Sequence, residues 1–200
     1  MHIQVSLGEI LDKYSILELK HERIAQDSKR HEIHLEMQEI YPHILPYMQE
    51  LALEYRLLKY INGKIWDMNE SYSNMMSFDG KPIMEENNAR FRIKSRINIK
   101  GNSFLKEQKS YNPVQINIQC SLSAADTILY AQYAYLYHDL VFIVVSNDIP
   151  LAIKQELAAL VPNGIYIISN TDSNAIIKYI DMAEIPLDFI NAQCPSLVAS

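Results

Sequence analysis

The pattern of apolar residues changes at Asn112-Pro113, and this change constrains the fold more than any other feature of the sequence. Beyond it, segments long enough for helices alternate with three β-rich runs and a fourth candidate strand: VQINIQ, LVFIVVS, GIYIIS and LDFINA. Strands that alternate with helices are joined by right-handed crossovers into a parallel sheet. The sequence therefore predicts a helical domain over residues 1–111 and a small Rossmann-like α/β domain over residues 112–200.

The first domain opens with a helix start. Residues HIQV are a candidate short strand, and Ser6-Leu7-Gly8-Glu9 then fits a capping box, in which the serine hydroxyl and the glutamate carboxylate satisfy exposed N–H groups. Residues at steps of four and three form one seam of a first helix that ends near Asp27: Ile10, Tyr14, Leu17, His21 and Ile24. We expect the charged residues off this seam to face solvent: Asp12, Lys13, Lys20 and Arg23.

Two prolines predict a break or kink in the segment YPHILP, because proline lacks the N–H and crowds the preceding turn. Before it, a second helix starts at Ser28, and the helical spacing resumes at Leu51, so that this helix or its continuation lies antiparallel to the first. Pro82 suits the first turn of a third helix that ends near Gly101. The predicted fold class is thus α/β, or α+β overall. An antiparallel helical hairpin or three-helix region, of the helical-bundle or coiled-coil kind, precedes the Rossmann-like unit.

Composition narrows the class of protein. The chain is 48% hydrophobic and 21% charged, which is typical of globular proteins, and no apolar run approaches the ~18 residues that span a bilayer. Cys120 and Cys194 fall outside any CxxC spacing, so we interpret them as reduced thiols of a cytoplasmic protein without a metal site. The five glycines are too scattered for a P-loop or a G-x-G-x-x-G motif, and we predict no cofactor.

A basic cluster stands out against the net charge of −6, because residues 90–109 carry seven cations and one anion. On a helix, Arg92 and Arg96 stack four residues apart, and Arg90 and Lys94 form the adjacent row. Two interpretations stay open: a face that is solvated or paired with acids such as Glu85 and Glu86, or a site for phosphate or an anionic glycan. Nucleic acid is disfavoured because the protein as a whole is acidic. The predicted ligand-binding residues are Arg90, Arg92, Lys94, Arg96, Lys106, Lys109, Tyr111 and Ser123.

Three ordered blocks carry a resemblance: GEILDKYSILELKHERI, RFRIKSRIN and KEQKSY. Over residues 3–111 the chain resembles an uncharacterised bacterial domain family that opens with a GELLDK-T-ILE-K-ERI pattern and ends on KSY, although Tyr14 stands where a small or β-branched residue is usual. The family has no established activity. Its members resemble one another in being helical and in often accompanying glycan-synthesis or glycosyltransferase-like proteins. The resemblance therefore implies a context in envelope-glycan metabolism.

A second, looser resemblance lies in residues 123–129, SAADTIL. The run is similar to the S-x-G-D-x-(I/L)-L of heptosyltransferase-like (GT-B type) glycosyltransferases, with Ala125 at the glycine position. Asp126 would follow the first strand, either as a general base or as a helix N-cap or first-turn acid.

Two hypotheses result. They differ in whether the chain is an enzyme, and the sequence leaves this question open. The first is an accessory module that binds a phosphorylated sugar or an anionic glycan, or a protein partner. The alternative is a small glycosyltransferase-like enzyme in which Asp126 is the general base.

Overall fold

A computed structural model of the chain describes residues 4–73, 79–105, 113–121, 123–160, 164–169 and 175–193. The chain divides into two compact units, Met1–Lys109 and Ser110–Ser200, called here the helical unit and the sheet unit. The predicted fold class is confirmed, since helices form the first unit and helices with a parallel sheet form the second. The division into two domains with a boundary after residue 111 stays a prediction.

The described part of the helical unit contains four helices: α1 (Leu7–Arg23), α2 (Asp27–Ile44), α3 (Ala52–Tyr72) and α4 (Lys81–Lys100). The helix α1 packs on the other three, and α3 also packs on α4. Their shared core is apolar, with Leu11, Leu58 and Ile93 fully buried. The helix α1 is therefore enclosed on three sides, which makes its buried face wide.

The predicted helix boundaries are largely confirmed. Ser6 Oγ accepts a hydrogen bond from the backbone N–H of Glu9 at 3.2 Å, whereas the Glu9 carboxylate pairs with Lys94 on α4. Pro82 lies in the first turn of α4, which ends one residue before Gly101, as predicted. The YPHILP break is confirmed as the end of α2 at Ile44, followed by a 3₁₀ turn at Leu45–Tyr47.

The helix directions refine the predicted hairpin. The helix α2 runs antiparallel to α1, as the Lys13–Glu36 ion pair and the neighbouring rings of His21 and His34 show. Contacts of α4 with α1 and α3 make it antiparallel to both, so α3 runs in the same direction as α1. The expectation of an antiparallel helix is thus confirmed for α2 and wrong for α3, because the 3₁₀ turn reverses the chain.

The sheet unit contains β1 (Gln115–Gln119), α5 (Ala124–Tyr137), β2 (Leu140–Val144), α6 (Leu151–Leu160), β3 (Ile165–Ile168), β4 (Ile177–Lys178) and α7 (Leu187–Gln193). The sheet is parallel, with strand order β3-β2-β1-β4. Ile118 and Ile143 are in register and fully buried. The three main predicted strands are confirmed.

The predicted fourth strand, LDFINA, is wrong. It forms α7, which begins directly after Pro186: the Pro186 carbonyl accepts hydrogen bonds from the backbone N–H groups of Phe189 and Ile190, and the Phe189 side chain is fully buried. The fourth strand is β4, which lies between GIYIIS and LDFINA in one of the segments that the sequence marked as long enough for a helix, and both of its residues pair with β1. Residues 2–3 of the HIQV candidate lie outside the described residues, and Gln4 and Val5 are not in a strand.

Candidate functional site

A buried polar cluster joins three helices of the helical unit through Asp12 on α1. Asp12 is only 3% exposed, and its Oδ1 accepts a hydrogen bond from Asn62 Nδ2 on α3 at 2.8 Å. Its Oδ2 lies 3.0 Å from Arg90 Nη2 on α4. Asn62 Nδ2 also donates to Ser15 Oγ at 2.8 Å. The expectation that Asp12 faces solvent is therefore wrong, because a helix enclosed on three sides buries more than one seam.

Three further ion pairs surround this cluster. Lys94 on α4 pairs with Glu9, Lys64 on α3 pairs with the buried Glu86, and Lys100 Nζ lies 3.3 Å from Oε2 of Glu54, which is 1% exposed. Buried charges are tolerated when they are paired and hydrogen-bonded. These pairs therefore set the register of α4 against α1 and α3.

A glycine allows α1 and α4 to approach closely. The backbone N–H of Gly8 donates to Asn98 Oδ1 at 2.6 Å, and a Cβ at Gly8 would lie 2.7 Å from the carbonyl oxygen of Lys94. No side chain fits in that gap without movement of the backbone. Gly8 is thus part of the geometry that brings Glu9 and Asp12 to their partners.

The predicted basic face of α4 is divided between two sides of the helix. Arg90 and Lys94 point toward α1 and form the ion pairs described above. Arg92 and Arg96 are half-buried on the opposite side, near the 65% exposed Ile99, and both make contacts within the chain. Lys106, Lys109 and Tyr111 lie outside the described residues. Ligand binding by all these residues stays a prediction.

A groove between α1 and α2 opens beside the buried cluster. It has a volume of about 290 Å³, and Glu9, Asp12, Lys13, Lys20 and Glu36 contribute its polar lining. Lys13 Nζ and Glu36 Oε1 lie 2.6 Å apart across the two helices. The groove is therefore lined by both positively and negatively charged side chains.

A charged layer that includes Tyr55 lies between α1 and α3. Lys59 Nζ bridges Glu18 at 3.0 Å and Glu22 at 2.7 Å. Burial opposes the charge of Lys59, but hydrogen bonds to Glu22 and Glu18 raise its pKa overall. Burial, assisted by Glu18, raises the pKa of Tyr55, so this phenol keeps its proton at any physiological pH. This layer adds to the ionic contacts that hold α1 against α3.

In the sheet unit, the turn between β1 and α5 holds the two residues predicted for a ligand or catalytic role. Ser123 Oγ caps α5 by accepting from the backbone N–H of Asp126 at 3.2 Å. Asp126 is exposed in the first turn, at the carboxyl end of β1, where it was predicted. Thr127 Oγ1 donates to the Ser123 carbonyl and accepts from the Ser121 N–H, which fixes the turn. The role of Asp126 as a base stays a prediction.

A second polar cluster of the sheet unit was missed by sequence reasoning. Tyr130 Oη donates to Glu184 Oε2 at 2.6 Å, and Lys178 Nζ donates to the same oxygen at 2.7 Å. The Lys178 hydrogen bond, supported by that of Tyr130, lowers the pKa of Glu184, and burial raises the pKa of Tyr130. No local motif links positions 130, 178 and 184, so only the fold brings them together.

No helix in the described part of the chain has the length and apolar character needed to cross a bilayer. Within those same residues, no three His, Cys, Asp or Glu side chains are grouped to hold a metal ion.

These features define a class of protein in which a helical unit tied by buried ion pairs accompanies a small parallel α/β unit. A family model matches residues 1–126, and the chain belongs to that family, which is described as a family of unknown function (DUF6165). The match spans α1 to α4, β1 and the start of α5, and it ends at Asp126. The prediction of an uncharacterised domain family is thereby confirmed. No curated protein and no solved structure matches the chain.

Proposed function

We propose that the helical unit is a cytoplasmic accessory module that binds an anionic ligand, a phosphorylated sugar or an anionic glycan, in bacterial envelope-glycan metabolism. The observation that carries the proposal is the position of Arg92 and Arg96 on α4. They lie one turn apart on the side of the helix that faces away from Asp12, and both are partly exposed. Guanidinium groups present paired planar donors, which suit the oxygens of phosphate or carboxylate.

Three other cations of α4 support this division of roles. Arg90, Lys94 and Lys100 are paired with Asp12, Glu9 and Glu54, so their charges are largely compensated inside the unit. In the proposal these three hold the helices together. Arg92 and Arg96 then contact the ligand, together with Lys106, Lys109 and Tyr111, which follow α4 in the sequence. Because Arg92 and Arg96 already have contacts within the chain, a bound anion would add to these contacts or replace them.

The test is a double charge reversal, Arg92→Glu with Arg96→Glu, measured by calorimetric titration with a sugar 1-phosphate and with inorganic phosphate. We expect binding by the native protein and a loss of about a hundredfold or more in the variant, because each hydrogen bond to a charged group contributes roughly 1.5–3 kcal/mol. The matched control is Lys29→Glu with Arg30→Glu, the same change of charge on exposed positions of α2. Binding by the Arg92/Arg96 variant at native affinity, or no binding by the native protein, would contradict the proposal.

The alternative function is a small glycosyltransferase-like enzyme based on the sheet unit. The observation that favours it is the exposure of Asp126 at the carboxyl end of β1, the edge where parallel α/β sheets bind their ligands. Ser123, which caps the same turn, would then lie beside the ligand. This alternative rests on residues of the other unit, so the Arg92/Arg96 test does not decide it.

A further inference from the structure

The carboxyl end of α3 carries a shallow pocket around Trp66, the single tryptophan of the chain. Its lining consists of Trp66, Asn69, Glu70 and Ser73, and its volume is about 330 Å³. These four positions follow steps of three, one and three, which places them on one face of the helix. An aromatic ring therefore has an amide, a carboxylate and a hydroxyl directly beside it.

The indole ring is held in place from two directions. Its Nε1 donates to Glu70 Oε1 at 2.6 Å, which leaves the second oxygen of the Glu70 carboxylate for another donor. The Arg23 guanidinium lies 5.7 Å from the centre of the ring and is itself fixed by an ion pair with Asp67. A ring that is already ordered loses little conformational entropy when a ligand packs on it.

The charges around the ring favour an uncharged ligand. Arg23 already occupies one cation position at the π-system, and its charge is compensated by Asp67. The Glu70 carboxylate, which accepts the hydrogen bond of the indole N–H, disfavours an anion beside the ring. An uncharged ring that combines an apolar C–H face with hydroxyl groups around its edge satisfies both conditions. Such a ring packs its C–H groups on the indole and exchanges hydrogen bonds with Asn69, Glu70 and Ser73.

We infer that the Trp66 face of α3 binds an uncharged pyranose ring of a glycan. The pocket volume is at the lower end of the range of small-molecule sites, which suits one or two sugar rings. This site is formed by α3 and the end of α1. It does not include Arg92 or Arg96 of α4, so it does not rest on the proposed anion site. A ligand that carries both neutral and phosphorylated sugars would have separate partners on the helical unit.

The single tryptophan makes the test direct, because all indole emission of the protein comes from the site itself. The native chain is titrated with maltotriose, cellotriose and a trimer of N-acetylglucosamine while its fluorescence is recorded. We expect a saturable change of emission with at least one trisaccharide and none with sorbitol, an acyclic polyol, or with choline. The double variant Asn69→Ala with Glu70→Ala should bind that sugar about tenfold or more weakly, since it loses polar contacts to the ligand.

The matched control is Glu85→Ala with Asn87→Ala, the same residue types at exposed positions of α4, and it should bind as the native protein does. Circular dichroism confirms that each variant is folded. The inference is overturned if no trisaccharide changes the emission, if choline changes it instead, or if the Asn69/Glu70 variant binds as tightly as the native chain.

Discussion

The helical unit and the sheet unit differ in whether their charged side chains are buried. In the helical unit, Asp12, Glu54, Glu86 and Lys94 are all buried, and each has a partner of opposite charge. In the described part of the sheet unit, the buried polar residues are the uncharged Asn117 and Thr127. Its ion pair, Lys178–Glu184, has side chains that are 46% and 40% exposed.

The difference follows from the geometry of the elements. Packed helices present long side chains at several interfaces at once, so charges from three helices can meet in one buried cluster. The core face of the parallel sheet is filled by residues such as Ile118, Val141 and Ile143, and the Lys178–Glu184 ion pair lies at the partly exposed rim. A buried ion pair becomes a liability when one partner is removed, because the other charge is left desolvated. The helical unit should therefore be the more sensitive of the two to loss of a single charge.

The largest expected effect comes from Asp12→Ala. It removes the shared acceptor of Asn62 and Arg90 and should lower the free energy of unfolding by about 3 kcal/mol, since breaking a buried pair typically costs ~3–5 kcal/mol and Arg90 is partly reached by water. The counterpart in the sheet unit, Lys178→Met, should cost no more than about 1 kcal/mol. Urea unfolding followed by circular dichroism measures both, and Trp66 fluorescence follows the helical unit. Equal costs for the two variants would break the comparison between the units.

A smaller effect is expected from Gly8→Ala. The new Cβ would lie 2.7 Å from the carbonyl oxygen of Lys94, so α1 and α4 must move apart, at a cost of about 1–3 kcal/mol. Gly63→Ala is the matched control in α3, because its Cβ would meet its nearest neighbour, Arg23 Nη2, at 3.6 Å, an ordinary contact. There the better helix propensity of alanine should leave stability unchanged or raise it by up to about 1 kcal/mol. If thermal unfolding shows the two variants equally stable, the close approach of α1 and α4 does not limit stability.

The smallest effects concern the cap of α5, where the sheet unit resembles the helical unit. Ser123→Ala, like Ser6→Ala at the start of α1, should cost about 1 kcal/mol, because each serine accepts from a first-turn N–H. Asp126→Asn should cost less than about 1 kcal/mol, since it removes only the favourable charge near the helix start. Thermal unfolding of the three variants measures these costs.

Asp126→Asn also tests whether the sheet unit is an enzyme. A general base typically contributes about 10² to 10⁴ in rate, so its loss would remove most of any activity. We expect no sugar transfer from sugar nucleotides by the native protein or by the variant. Transfer by the native chain that falls by such a factor in the variant would favour the enzyme and not the binding module.

Local features of the sequence determined where the elements begin and end. Ser6 caps α1, Pro82 opens α4 and the YPHILP segment separates α2 from α3, because each acts through backbone groups a few residues away. The alternation after residue 112 likewise predicted β1 to β3 and the parallel sheet. These signals act over one or two turns, so they can be interpreted without knowledge of the rest of the chain.

Only the tertiary structure decided which side chains meet. Asp12 is buried because α2, α3 and α4 all pack on α1, and its partners Asn62 and Arg90 lie far away in the sequence. The same holds for the opposite roles of Arg90 and Arg92 on α4, and for the contact of Tyr130 with Glu184. The spacing of residues fixes which of them share a face of a helix. Burial and charge pairing depend on what covers that face, and this is set by the packing of segments that are distant in the chain.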